Sequence, residues 1–211
     1  MVSDRFYATV RALSLPFLKA WIRLHVHGLE NLPAQGALLM VANHTSYLDP
    51  ALLGRASPRK VHFFIKRSVW RQRGMHWFFS GMDSIPTSGD PADTSGLRAG
   101  LRHLAAGSVV GVFPEGGRTT DGKPGPAKTG VALLAARTGC PVVAVGIAGA
   151  FLSLPTGSMI PRPRRVDVRF GEPFTLAPGR GREELEAAVM LMQRQVAALL
   201  EPPLQGGSAG S

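Results

Sequence analysis

The stretch Ala37-Leu-Leu-Met-Val-Ala-Asn-His-Thr-Ser-Tyr-Leu-Asp-Pro50 sets the frame for the rest of the chain. Its first six residues, Ala37–Ala42, are an apolar run of the kind found in strands buried on both faces. Polar residues follow at once, and a helix is expected from Ser46 to about Gly54, with Thr45 or Ser46 as its cap. His44 therefore falls just past the carboxyl end of a buried strand, where ligands and catalytic groups gather in α/β sheets. Within one regular helix His44 and Asp49 would stand about 140° apart and could not meet. From a loop, however, the imidazole is within reach of Asp49 in the first helical turn. Such a pair fixes one tautomer and leaves the other nitrogen as a general base near neutral pH, the usual way to activate a hydroxyl for attack on an acyl group. The plainer alternative is that Asp49 caps the helix and His44 fills space.

Outward from this stretch, strands alternate with helices. Residues 5–24 carry Phe6, Val10, Leu13, Phe17, Trp21 and Leu24 at helical steps, with Pro16 expected to kink or divide the helix. A strand is expected at Leu24–Gly28, another at Val61–Ile65, and helices near Ser68–Phe79 and across Thr94–Ala106. Strand Ser108–Phe113 leads into a glycine- and proline-rich loop, Pro114–Ala127. Helix Lys128–Thr138, strand Pro141–Ile147 and an alternating strand Arg165–Phe170 come next. A last helix starts near Arg182, with Leu185, Val189, Met192, Val196 and Leu199 as a core-packing stripe. The pattern predicts a single α/β domain with helices covering a mostly parallel or mixed sheet. Its expected division is an N-terminal amphipathic helix over 1–24, the main domain over 25–202, and a disordered tail over 203–211.

The second informative segment is Val112-Phe-Pro-Glu-Gly-Gly-Arg-Thr-Thr-Asp-Gly-Lys123. Glycine N–H groups beside the Arg118 guanidinium suit a phosphate, and Glu115 could align Arg118 or accept from a substrate hydroxyl. Gly117 to Lys123 has the spacing of a P-loop, but Pro124 stands where Ser or Thr should hold magnesium, so nucleotide hydrolysis is set aside. Asn43-His-Thr45 is a formal glycosylation sequon in a chain with no other sign of secretion.

Taken together, these segments resemble the glycerolipid acyltransferase family, which contains the 1-acylglycerol-3-phosphate acyltransferases. Asn43, His44 and Asp49 match its Asn-His-x4-Asp block, and Phe113, Pro114, Glu115, Gly116 and Arg118 match its Phe-Pro-Glu-Gly-Thr-Arg-Ser block. Lys128-Thr-Gly130 matches a later Lys-x-Gly, and Cys140-Pro-Val-Val-Ala-Val-Gly-Ile147 matches the final apolar block. Order and spacing agree over roughly residues 24–172. The resemblance implies a glycerol-3-phosphate acyltransferase-like fold, with His44 as general base and Asp49 as its partner. It also implies substrate contacts from Asn43, Glu115, Gly116, Gly117, Arg118 and Lys128. The acyl donor would be a thioester on coenzyme A or acyl carrier protein, with no metal and no cofactor. The acceptor would be a lysophospholipid, foremost 1-acyl-sn-glycerol 3-phosphate giving phosphatidic acid.

Two departures bear on the acceptor. Gly117 replaces the family's Thr, and the second block, Gly81-Met-Asp-Ser-Ile-Pro-Thr-Ser-Gly89, lacks its terminal Arg; the next is Arg98. A lost charge-assisted contact costs about 1.5–3 kcal/mol, so a lyso-lipid without a phosphomonoester, such as a lyso-aminolipid, is the alternative acceptor. A lipid esterase using Ser46 or Ser108 is a further one, although neither serine sits in a Gly-x-Ser-x-Gly turn.

Charge and composition agree with a membrane-facing enzyme. The 211 residues carry 24 Lys+Arg against 14 Asp+Glu, net +10, and 19 of the cations are arginine, the residue suited to phosphate and carboxylate. Between Asp49 and Asp83 lie Arg55, Arg59, Lys60, Lys66, Arg67, Arg71 and Arg73 with no acid. Phe63, Phe64, Val69, Trp70, Trp77, Phe78 and Phe79 are interleaved with them, a mixture suited to adsorption on anionic lipid. Pro161-Arg-Pro-Arg-Arg165 is a second basic stretch that could add to this or grip donor phosphates. No helix-turn-helix spacing or zinc pattern supports nucleic-acid binding. A single cysteine, Cys140, excludes a disulfide scaffold, and no apolar run reaches the ~18–20 residues of a spanning helix. The expectation is a reduced protein held peripherally on the cytoplasmic membrane face. His25 and His27 read as one exposed strand face, and His62, His76 and His103, which show no partner pattern, as satisfied structural histidines.

Overall fold

The computed structural model describes residues 2–88, 90, 94–119, 121, 125, 127–158, 160–176, 179 and 181–201. Its centre is strand β2, Leu38–Ala42, every residue of which is buried. Strand periodicity sends Leu38, Met40 and Ala42 into one apolar cluster and Leu39 and Val41 into the other. Around it stand β1 (Leu24–His27), β3 (Val61–Lys66), β4 (Ile85–Thr87), β5 (Val109–Val112), β6 (Val142–Ala148) and β7 (Val166–Phe170). The sheet order is β1-β7-β6-β2-β5-β3-β4. All neighbours pair in parallel except β6 and β7, so the expected α/β domain with a mixed sheet is present. The carboxyl ends of β2, β3, β5 and β6 therefore open on the same side.

Helices α1 (Val2–Ala20) and α2 (Asp49–Ala56) cover one face through Leu18, Leu52 and Leu53. On the other face α5 (Ser95–Ala105), α6 (Gly130–Thr138) and α8 (Arg182–Leu200) contribute Leu104, Leu134, Val189, Met192 and Val196. The stripe on α8 is thus core. Short helices α3 (Arg67–Trp70) and α4 (Met75–Gly81) follow β3, and α7 (Ala150–Ser153) follows β6.

Some expectations need correction. Pro16 does not divide α1: Tyr7 and Leu18, on either side of it, are both buried against the domain, and the Tyr7 hydroxyl donates to the Gly54 carbonyl at 3.1 Å. The helix is thus packed on the domain. It ends at Ala20, and the chain reaches β1 through Ile22, wholly buried in the same core, and Arg23 at φ 49°. The helix expected over Ser68–Phe79 is two, α3 and α4, parted at Gly74, whose φ of 83° no right-handed helix accepts. Strand β7 alternates as expected, with Val166, Val168 and Phe170 in the core, and Asp167 on its other face is buried as well, where Arg165 at 2.9 Å and His27 at 2.9 Å satisfy its carboxylate. Its carboxyl pKa is held down to about 2, chiefly by the Arg165 hydrogen bonds. The expected tail over 203–211 lies outside the described residues.

Candidate active site

His44 leaves the carboxyl end of β2, and α2 begins at Asp49, later than the expected Ser46. Neither Thr45 nor Ser46 is the N-cap residue; that position is Leu48, with no side-chain cap bond. The polar work at this turn is done by Asp49 instead. Its Oδ2 accepts from the Thr45 N–H at 2.7 Å, from the Ser46 N–H at 2.8 Å and from His44 Nδ1 at 3.0 Å. A carboxylate can only accept, so Nδ1 carries a proton, and in the neutral ring Nε2 keeps its lone pair. Asp49 is fully buried while the His44 side chain is 16% exposed; the imidazole alone reaches the surface. Asp49 thus both organises the turn and orients the ring.

A column of rings sets the imidazole's tilt. His44 stacks on Phe113 at 4.2 Å and 22°, and Phe113 stacks on Phe63 at 5.8 Å and 10°. Phe63 lies so close over Gly111 that a Cβ there would meet its ring at 2.5 Å.

Asn43 is buried, and both ends of its amide bind the Ile147 backbone on β6: Nδ2 donates to the carbonyl at 3.0 Å, and Oδ1 accepts from the N–H at 2.8 Å. Asn43, expected as a substrate contact, here ties the ends of β2 and β6 together.

The loop after β5 closes round His44. Glu115 Oε1 accepts from the His44 N–H at 3.3 Å, and the Thr119 N–H donates to the His44 carbonyl at 3.3 Å. Glu115 forms no ion pair with Arg118 among the described residues, so its role as a guide for that guanidinium is set aside. Burial raises the Glu115 carboxyl pKa above its usual value, against hydrogen bonds from backbone N–H groups. Its Oε2 is buried without a partner among the described residues.

Gly116 has φ 67°, and the Lys128 side chain crosses it, with Nζ 3.1 Å from where a Cβ would stand; Lys66 Nζ lies 3.8 Å from the same point on Gly117. The Arg118 guanidinium rests over the exposed Tyr47 ring, 3.2 Å from its centroid, and its buried Nη1 has no partner among the described residues. Lys66, Arg118 and Lys128 thus surround a glycine loop beside His44. Lys66 was not read as a site residue from the sequence. It ends β3, paired with Thr87 of β4, and only the strand order brings it here.

Neither serine weighed as an esterase nucleophile is suited to the task. The buried Ser46 hydroxyl donates to the Leu154 carbonyl at 2.9 Å, and Ser108 precedes β5, at the end of the strand away from His44. Outside the site, the sequence shows no partner pattern for His62 and His103, but their rings lie 4.3 Å apart, with Asp83 beside them.

A carboxylate-oriented imidazole set beside a cationic glycine loop is an arrangement that can activate a hydroxyl on a bound anionic molecule. The family description Acyltransferase matches residues 23–148. The chain is 35% identical over 146 residues to a chloroplast 1-acyl-sn-glycerol-3-phosphate acyltransferase of Brassica napus, covering 68% of this chain and 41% of that protein. It is 26% identical over 125 residues to the 1-acyl-sn-glycerol-3-phosphate acyltransferase of Bacillus subtilis, covering 59% of this chain and 62% of that one. The crystal structure of the 1-acyl-sn-glycerophosphate acyltransferase PlsC from Thermotoga maritima superposes with a TM-score of 0.74 at 27% identity, over 92% of this chain and 79% of that chain. The protein belongs to the acyltransferase family. It spans about two fifths of the length of the chloroplast relative and about three fifths of the bacterial one.

Proposed function

We propose that the protein transfers a fatty acyl chain from a thioester, on coenzyme A or acyl carrier protein, to the free hydroxyl of 1-acyl-sn-glycerol 3-phosphate. The observation that carries this reading is the His44–Asp49 pair, at 3.0 Å, beside the loop of Lys66, Arg118 and Lys128. In the proposed reaction His44 Nε2 takes the proton of the acceptor hydroxyl as its oxygen bonds to the thioester carbonyl carbon. Asp49 stabilises the imidazolium that forms. Collapse of the tetrahedral intermediate breaks the C–S bond, and the departing thiolate takes the proton back from His44, so the base is regenerated and no acyl-enzyme forms.

Lys66 favours a phosphorylated acceptor. It stands at the end of β3, in register with the short strand whose sequence lacks the expected arginine, and supplies a cation there. A membrane-surface location fits the substrates. Among the described residues no helix is long and apolar enough to cross a membrane. Exposed Leu13, Tyr47, Val69, Met75 and Trp77 accompany Arg67, Arg71 and Arg73, a combination that adsorbs to anionic lipid.

The deciding experiment follows labelled acyl transfer from each thioester by the wild type and by His44→Ala. Lysophosphatidate is offered beside a lyso-lipid lacking the phosphomonoester. Diacyl product from lysophosphatidate that disappears in the variant is the expected result. Transfer only to the other acceptor overturns the substrate assignment, and free fatty acid in place of diacyl product overturns the transferase reading.

A further inference from the structure

His62 is the second residue of β3 and Lys66 its last, so about 13 Å of strand separates His62 from the candidate active site. There three elements converge. His62 is buried, Asp83 lies in the turn between α4 and β4, and His103 belongs to the last turn of α5. One donor atom from each of the three side chains lies within 4.8 Å of the other two.

Each residue is prepared for a ligand's role. His62 Nδ1 lies 2.9 Å from the Asp83 carbonyl oxygen; a carbonyl only accepts, so Nδ1 carries the proton and the second nitrogen of a neutral ring keeps its lone pair. Holding one ring N–H on a carbonyl is the usual way a metal-binding histidine is oriented. Asp83 holds φ 55°, a left-handed conformation uncommon outside glycine, and keeps its Oδ2 3.3 Å from His62 Nδ1. The His103 ring faces His62 at 4.3 Å and 33°.

We propose that His62, Asp83 and His103 form a three-ligand site for a divalent cation of the zinc class, with solvent as fourth ligand, which fastens β3, the α4–β4 turn and α5 together. Two imidazoles and a carboxylate suit zinc, whereas magnesium and calcium take oxygen ligands. Tetrahedral bonds of about 2.0–2.1 Å place ligand atoms about 3.3 Å apart, so the Asp83 carboxylate, which lies on the Nδ1 side of the His62 ring, turns toward the second ring nitrogen on binding. Asp83 and His103, both partly exposed, have the rotational freedom to do so. The Lys60 ammonium, 3.4 Å from Asp83 Oδ2 and 3.0 Å from Asp4 Oδ1, opposes the ion and weakens the site. Its position makes the site a clasp between elements, remote from the acyl-transfer chemistry.

The test uses the full chain stripped with EDTA and titrated with Co2+, whose visible absorption reports a tetrahedral nitrogen and oxygen site, followed by displacement with Zn2+. Expected is one equivalent bound, with binding weakened at least about tenfold in both Asp83→Asn and His103→Gln. A hundredfold excess of Zn2+ over its Kd should raise Tm by about 5–10 °C in the wild type and not in the variants. Both variants alter partly exposed residues, and circular dichroism checks their fold, so the buried His62 need not be changed. Absence of stoichiometric binding, or unchanged affinity in either variant, overturns the proposal whether or not the protein transfers acyl chains.

Discussion

The side chain of Asn43 and the backbone N–H and C=O of Ile147, 104 residues apart, share two hydrogen bonds of 3.0 and 2.8 Å. The residue that precedes the candidate base is therefore a splice between two central strands. Asn43→Ala would leave two buried peptide groups unsatisfied, at about 1–3 kcal/mol each. Urea denaturation should show a loss of about 2–6 kcal/mol. A substrate contact would instead raise the acceptor KM and leave stability unchanged.

His44 and Asp49 make the opposite prediction. His44→Ala should lower kcat by about 10²–10⁴-fold and leave Tm nearly unchanged, since the ring is held by its neighbours more than it holds them. Asp49→Asn keeps one oxygen for the Thr45 and Ser46 N–H groups but loses the charge facing the imidazolium. Steady-state kinetics should show kcat falling far more than KM rises.

Lys66 and Arg118 are expected to act on the acceptor's phosphate. Lys66→Ala and Arg118→Ala should each raise the KM for lysophosphatidate by about 10–100-fold, the worth of one charge-assisted contact. With an acceptor lacking the phosphomonoester the same changes should do little. Equal effects on both acceptors would assign these cations to the thioester donor.

Glu115 makes stability depend on pH. Its folded pKa is raised by burial, so the folded state binds a proton more tightly than the unfolded chain. That contribution is fully present below the unfolded value near ~4.3 and is lost as pH rises through the folded value. Glu115→Gln should therefore raise Tm relative to the wild type at pH 7–8, and the gap should shrink toward pH 4. A gap that stays constant with pH would show that its ionisation is not the cause.

How far the sequence could be read depended on the distance between the partners. The β2 strand, the loop position of His44 and the reach of Asp49 all lie within twelve residues, where strand and helix periodicity settle the geometry. The contact of Glu115 with the His44 backbone spans 71 residues, and Lys66 reaches the glycine loop only because β3 lies beside β5. Strand order creates both, and no local pattern encodes it. The continuity of α1 through Pro16 was hidden for a similar reason: local propensity opposes it, and burial of Tyr7 and Leu18 in the domain overrides that. His62, Asp83 and His103 looked unrelated because they come from three separate elements.

The ring column from Gly111 through Phe63 and Phe113 to His44 has a thermodynamic meaning for the proposed reaction. The hydrogen bond to Asp49 fixes the imidazole's rotation and the stack fixes its tilt, both without substrate. The entropy lost in ordering the base is therefore spent when the chain folds, and none of the acceptor's binding free energy is diverted to assembling it. What remains for the substrates is to bring the hydroxyl and the thioester carbonyl to a base already in place.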